Sequence, residues 1–96
     1  MLELHVQPGR QPAVARAYDE LGIFGRARES GGFRSGRLLE PADPGRPMLV
    51  IAEWDDAPSY ERWLASPVRA ELGDHLEHML TGDPTLVGVF SESMRG

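Results

Sequence analysis

Six side chains have the types and spacing to do chemistry: His75, Tyr60, Trp63, Trp54, Arg69 and His5. An imidazole has the side-chain pKa nearest neutral pH, so His75 is a candidate general base able to take a proton from a phenol. On a helical wheel of about 100° per residue it lies within about 60° of Leu72, bordering an inward face, whereas His78 falls further round near Glu71 and Asp74. The alternative role for His75 is to fill space at the helix edge and bond a carbonyl or water. Tyr60 shares a helix face with Trp63 and Leu64, so its hydroxyl either reaches a substrate phenol or projects from a packed ring to the surface. Trp54 and Trp63 either stack on a flat molecule or pack as core aromatics. Arg69 follows Ser66-Pro67 in a first helical turn, where a cation opposes the helix dipole. That position suits either a bound carboxylate or phenolate, or a salt bridge to Glu61 or Asp74. His5 points away from Leu2, Leu4 and Val6, toward either a subunit interface or a pocket.

Other chemistries lack their residues. The chain has no Cys, hence no disulfide or thiol reaction, and no Asn to orient oxygen or stabilise an oxyanion. No phosphate-cradling glycine loop, dinucleotide fingerprint, zinc spacing or nucleophile elbow occurs, and His75 and His78 lack the further ligands that a metal would need. The expected chemistry therefore uses no cofactor and no metal. Net charge is −5, and the ten Arg are scattered among Asp and Glu, which argues against nucleic acid as a partner. The longest apolar run, Met48 to Ala52, is far short of the roughly 20 residues of a membrane span. Without a secretory signal pattern at the N-terminus, the default expectation is cytoplasmic.

The elements that would position these residues follow from hydrophobic periodicity. Met1 to Val6 alternates Leu2, Leu4 and Val6 against Glu3 and His5, as a strand with one buried face does. Pro12 suits a first helical turn, and Val14, Ala17, Tyr18, Leu21 and Phe24 follow at helical spacing, giving one helix of about 15 to 19 residues. Gly22 and Gly25 each weaken that helix by about 1 kcal/mol, so its last turns should be irregular before Gly31-Gly32 ends it. Phe33 to Leu39 and Met48 to Trp54 read as antiparallel strands joined by a rigid turn, Pro41 to Pro47. Asp55 or Asp56 caps a helix carrying Tyr60, Trp63 and Leu64. Ser66-Pro67 opens another, on which Val68, Leu72, Leu76 and Met79 share a face. Thr85 to Ser91 is the expected last strand.

The order is βαββααβ, which places a four-stranded antiparallel sheet under helices on one face. The Met48 to Trp54 strand is apolar on both sides, with Leu49 and Ile51 on one and Met48, Val50, Ala52 and Trp54 on the other. Something must cover the side without helices, and a second copy would do so, closing two sheets into a barrel. Glu53, inside that apolar strand, must be paired with an Arg or lie at a sheet rim.

The stretch from Glu53-Trp54-Asp55-Asp56 through Tyr60 and Trp63 to Ser66-Pro67-Val68-Arg69 resembles the signature region of antibiotic biosynthesis monooxygenase domains. Gly9 and Gly31-Gly32-Phe33 suit the same pattern. The resemblance implies one α+β, ferredoxin-like βαββααβ domain over residues 1–96 that forms a dimeric α+β barrel. It also implies a reaction in which an aromatic, polyketide-like metabolite meets oxygen without metal or flavin. There the protein binds the substrate, helps to remove a proton and excludes water. Two other readings share the fold. A haem-degrading branch resembles an Asn, Trp and His set, of which Trp63 matches the Trp, but Leu72 or Gly73 falls at the His position and Leu2 near the Asn. A small-molecule-binding dimer without catalysis is the other, because one fold carries many functions.

Overall fold

Leu2 and Leu4 alternate with Glu3 because the first strand, β1 (Leu2–Leu4), turns only one face toward the helices, and Leu4 is buried there. The computed structural model describes residues 1–43, 45–91 and 93. After β1 come α1 (Gln11–Glu20), α2 (Ile23–Glu29), β2 (Phe33–Leu39), β3 (Met48–Trp54), α3 (Ala57–Leu64) and α4 (Pro67–Leu76). A short 3-10 turn (Glu77–Met79) and β4 (Thr85–Leu86) complete the chain. The strands form one antiparallel sheet in the order β2-β3-β1-β4, so the fold is α+β and ferredoxin-like. With extents of 35 × 34 × 20 Å the molecule is a slab, one sheet thick plus one layer of helices.

Register decides which strand residues meet the helices. Leu2 lies opposite Val50 and Leu4 opposite Met48, so these share the covered face, and Leu4, Val14 and Met48 are its most deeply buried side chains. Full burial of such a side chain stabilises by about 1.5–3 kcal/mol. Ile23 and Ala27 of α2, Trp63 of α3, and Leu72 and Leu76 of α4 close over them. Leu49 and Ile51 point to the uncovered face beside Arg37 and Leu39, their partners on β2. Glu53 is exposed on that same face opposite Ser35, at the sheet rim.

Three elements differ from the sequence expectation. The single long helix is two, because Gly22 adopts a left-handed backbone (φ 60°) that ends α1 and starts α2. Only glycine takes that conformation without steric cost, so the break falls there and not at Gly25. The last strand is shorter than Thr85 to Ser91 because its partner runs out: Val87 N–H donates to Met1 O, and the Met1 amino group donates to Gly88 O. Val89 and Phe90 make no backbone pairing among the described residues and are 71% and 70% exposed. Pairing begins earlier instead, with a Val6–Leu80 bridge and Thr81 N–H donating to His5 O, interrupted before Pro84. Finally, Leu64 is exposed, leaving Trp63 as the buried anchor of α3. In the turn from Pro41 to Pro47, Asp43 accepts from the backbone N–H groups of Gly45 and Arg46, while Pro44 lies outside the described residues.

Candidate functional site

Between helices and sheet runs a seam of aromatic rings. Tyr18 of α1 meets Phe24 of α2 with centroids 5.6 Å apart, and Phe24 stacks on Phe33 of β2 at 6.0 Å. Phe33 meets Trp54 of β3 edge-on at 5.2 Å, and Trp54 touches Tyr60 at 5.8 Å and Trp63 at 6.5 Å. All lie in the range where rings attract beyond their burial. The seam exists because small residues leave room for it. A Cβ on Gly36 would sit 2.5 Å from the Phe24 ring, and one on Gly32 (φ 77°) would overlap Ser59 of α3. Ser59 is itself buried, and α3 is fixed there by its cap: the Asp56 carboxylate accepts from Ser59 N–H at 2.9 Å and from Ser59 Oγ–H at 2.6 Å. Those two bonds hold the Asp56 carboxyl below the usual carboxylate range.

Two polar features interrupt the seam. Trp54 Nε1–H is buried without a hydrogen-bond partner, an arrangement that costs stability unless an acceptor arrives. At the other end, an open hollow of about 450 Å³ lies between the α1–α2 break and β2. Tyr18, Phe24, Leu38 and Ala15 give it walls, Gly22 and Gly25 leave it uncrowded, and Asp19 is the carboxylate at its rim. Burial pushes the Tyr18 hydroxyl up to about 12, with the Arg69 guanidinium acting in the opposite sense. Tyr18 is therefore a hydrogen-bond donor, not a base, throughout the neutral range.

The sequence candidates fall into distinct places. Trp54, Tyr60 and Trp63 come together in the seam. Arg69 is half-buried in the first turn of α4, and neither Glu61 nor Asp74 forms the anticipated salt bridge with it. Arg34–Asp55 is the ion pair found among the described residues. His75 is exposed and lines a different, smaller hollow of about 150 Å³ formed by residues of α1, α2 and α4, with Glu20, Arg26, Val68, Glu71 and Leu72. His5 lies on the uncovered face of the sheet, where its Nε2 is 2.7 Å from Thr85 Oγ1. Sequence reading assigned Tyr18 and Phe24 to a helix stripe and gave Asp19 no role. The clue was the Leu21-Gly22 pair between them, where a break turns a stripe into the two sides of an opening. Among the described residues no group of three or more His, Cys, Asp or Glu is arranged to hold a metal ion, and no helix is long and apolar enough to cross a membrane.

With this architecture in view, the model of the family described as antibiotic biosynthesis monooxygenase matches residues 1–78. The chain belongs to that family. Among solved structures it is similar to Rv0793 from Mycobacterium tuberculosis, with 20% identity, a TM-score of 0.68, and 97% of this chain and 94% of that one covered. SnoaB from Streptomyces nogalater, a cofactor-independent oxygenase, superposes with a TM-score of 0.66 at 20% identity, covering 98% of this chain and 91% of that one. NE2512 from Nitrosomonas europaea gives 0.67 at 17% identity over 97% and 91%. At these identities the superpositions establish the shared fold. No curated protein sequence matches the chain.

Proposed function

We propose that this family member is a cofactor-independent monooxygenase acting on a flat, electron-rich aromatic metabolite. One observation carries the reading: the aromatic seam ends in an open hollow walled by Tyr18, Phe24 and Leu38. An anthrone-like ring system placed there extends the seam by one ring system against Phe24. Its oxidation needs no electrons from the protein. At the reacting methylene two C–H bonds break and a C=O bond forms with one oxygen atom of O2. The other oxygen leaves as water with the two hydrogens, and the substrate supplies all four electrons. The protein binds the ring, hydrogen-bonds its oxygen and accepts a proton. Trp54 Nε1–H is a second donor for an oxygen of a substrate that reaches deeper, with Trp63 and Tyr60 beside it.

Asp19, which lines this hollow, is the group placed to take the proton, whereas His75 lines a separate one. Loss of the base typically costs about 10²–10⁴ in turnover, so whichever of Asp19→Asn and His75→Ala shows that loss identifies it. The same proposal includes a homodimer. Leu39, Leu49 and Ile51 form an apolar strip on the sheet face without helices, edged by Glu3, His5, Arg37 and Glu53, and a second copy laid on it removes that strip from water. Light scattering giving the mass of two chains supports this, and a stable 10.6 kDa species at micromolar concentration removes it.

Oxygen uptake with an anthrone in the presence of a metal chelator tests the chemistry. The expected result is one O2 consumed per quinone formed, with Phe24→Leu raising KM more than it lowers kcat because ring contact is lost in ground and transition states alike. Uptake no faster than in protein-free buffer, or dependent on added iron or flavin, refutes it.

A further inference from the structure

Gly25 stands inside α2, where a glycine weakens the helix and nothing in the local backbone calls for one. Other glycines near the seam have a physical reason to lack a side chain. Gly22 and Gly32 hold left-handed φ values, and a Cβ on Gly36 would press into the Phe24 ring. Gly25 has no such φ, and a Cβ built there would meet nothing within 4 Å. Neither conformation nor packing therefore excludes a side chain. What lies over the position is the hollow of about 450 Å³, whose wall Gly25 forms together with Tyr18, Phe24 and Leu38. That volume is in the range of small-molecule sites. Gly73 of α4 has the same freedom, with nothing within 4 Å of its Cβ position, but lines neither this hollow nor the smaller one. The two glycines thus separate what a missing side chain does to a helix from what it does to a site.

We propose that Gly25 is the size-determining residue of the hollow, admitting fused-ring aromatic molecules that a large side chain at this position would exclude. This deepens the oxygenase reading and rests on it for the fate of the ligand, but not for its admission. Phe24 and Leu38 offer apolar contact to any aromatic ring, so they confer affinity with little discrimination between small and large ring systems. Discrimination needs an element that rejects, and here it is a matter of room. A side chain growing from Gly25 enters space that no other atom of the chain fills. It meets the outer ring of a fused system before it meets a smaller phenol held against Phe24. Gly22, the other bare position in the wall, cannot play this part, because its left-handed backbone favours glycine whatever the ligand. Gly25 is the wall position where a side chain costs the fold nothing and costs the ligand its space.

The probes are 2-hydroxyanthraquinone, a three-ring phenol, and 2-naphthol, a two-ring one, each measured by equilibrium dialysis against the full chain. Gly25→Leu should weaken the three-ring probe by about ten- to hundredfold and 2-naphthol by about threefold or less, the scale on which an apolar pocket discriminates by size. Gly25→Ala should weaken the three-ring probe to a smaller extent while raising the melting temperature by about 2–8 °C, because alanine favours the helix. Gly73→Leu should leave both affinities unchanged. Circular dichroism establishes that each variant is folded, and if leucine at position 25 unfolds the chain, the smaller loss in Gly25→Ala carries the test. Three-ring binding at native affinity in Gly25→Leu, equal weakening of both probes, the same loss in Gly73→Leu, or no binding of the three-ring probe to the native chain each overturns the assignment. Size-selective binding that Gly25→Leu removes, in a protein that consumes no oxygen, supports the assignment and refutes the oxygenase. Oxygen consumption with an anthrone that continues unchanged in Gly25→Leu does the reverse.

Discussion

Raising the pH should destabilise this protein through Tyr18. Its hydroxyl ordinarily ionises near 10, and burial moves that to about 12 in the folded chain. Below pH 10 both folded and unfolded states keep the proton, so the group makes no pH-dependent difference. Between 10 and 12 the unfolded chain ionises and the folded one resists, so stability falls as pH rises through that window. Two pH units at 1.36 kcal/mol each set a ceiling of about 2.7 kcal/mol, and contact with the open hollow lowers the expectation to about 1–2 kcal/mol. Urea unfolding at intervals from pH 8 to 12, on the native chain and on Tyr18→Phe, isolates the effect, since every other titrating group is common to both. The two stability curves should run parallel to pH 10 and then converge or cross as the native chain loses ground. Parallel curves up to pH 12 would refute the burial argument, and with it the claim that Tyr18 is a fixed donor.

The remaining predictions concern the supports of the seam. Gly32→Ala should cost about 2–5 kcal/mol in chemical denaturation, because the new methyl overlaps Ser59 and the backbone is left-handed. Gly36→Ala should be destabilising too, and by pushing the Phe24 ring toward the hollow it should weaken binding of a flat aromatic ligand in a fluorescence titration. Asp56→Ala should lower the melting temperature at neutral pH. Because the folded carboxyl is held below its usual range, the difference from the native chain should shrink as pH falls below about 4.

Much of the fold was legible because it depends on periodicity. The alternation in Leu2 to Val6, the doubly apolar Met48 to Trp54 and the two cap-then-proline signals at Asp56 and Ser66 each lead directly to an element. The misjudged boundaries were set by tertiary facts. Gly22 and Gly25 are equally poor helix formers, and only the turn of α2 onto the sheet selects Gly22 for the break. The last strand looked long because Val87, Val89 and Phe90 favour strands, yet a strand needs a neighbour, and the pairing stops at Met1. The candidate site was legible where side chains share one helix, as Tyr60 and Trp63 do. It was not where the site arises from the approach of separate elements. The contact of Tyr18 with Phe24 depends on the helix break. His75 illustrates the limit of a helical wheel: it lines a hollow with Leu72 as the wheel indicates, but one separate from that walled by Tyr18 and Phe24.

The most direct test of the account is a crystal structure with a hydroxyanthraquinone bound, read for where the ring system lies. The account predicts that it occupies the hollow beside the α1–α2 break, against Tyr18, Phe24 and Leu38. A ring system seated instead in the smaller hollow with Glu20, Glu71 and His75, or on the uncovered sheet face beside Leu49 and Ile51, would contradict it.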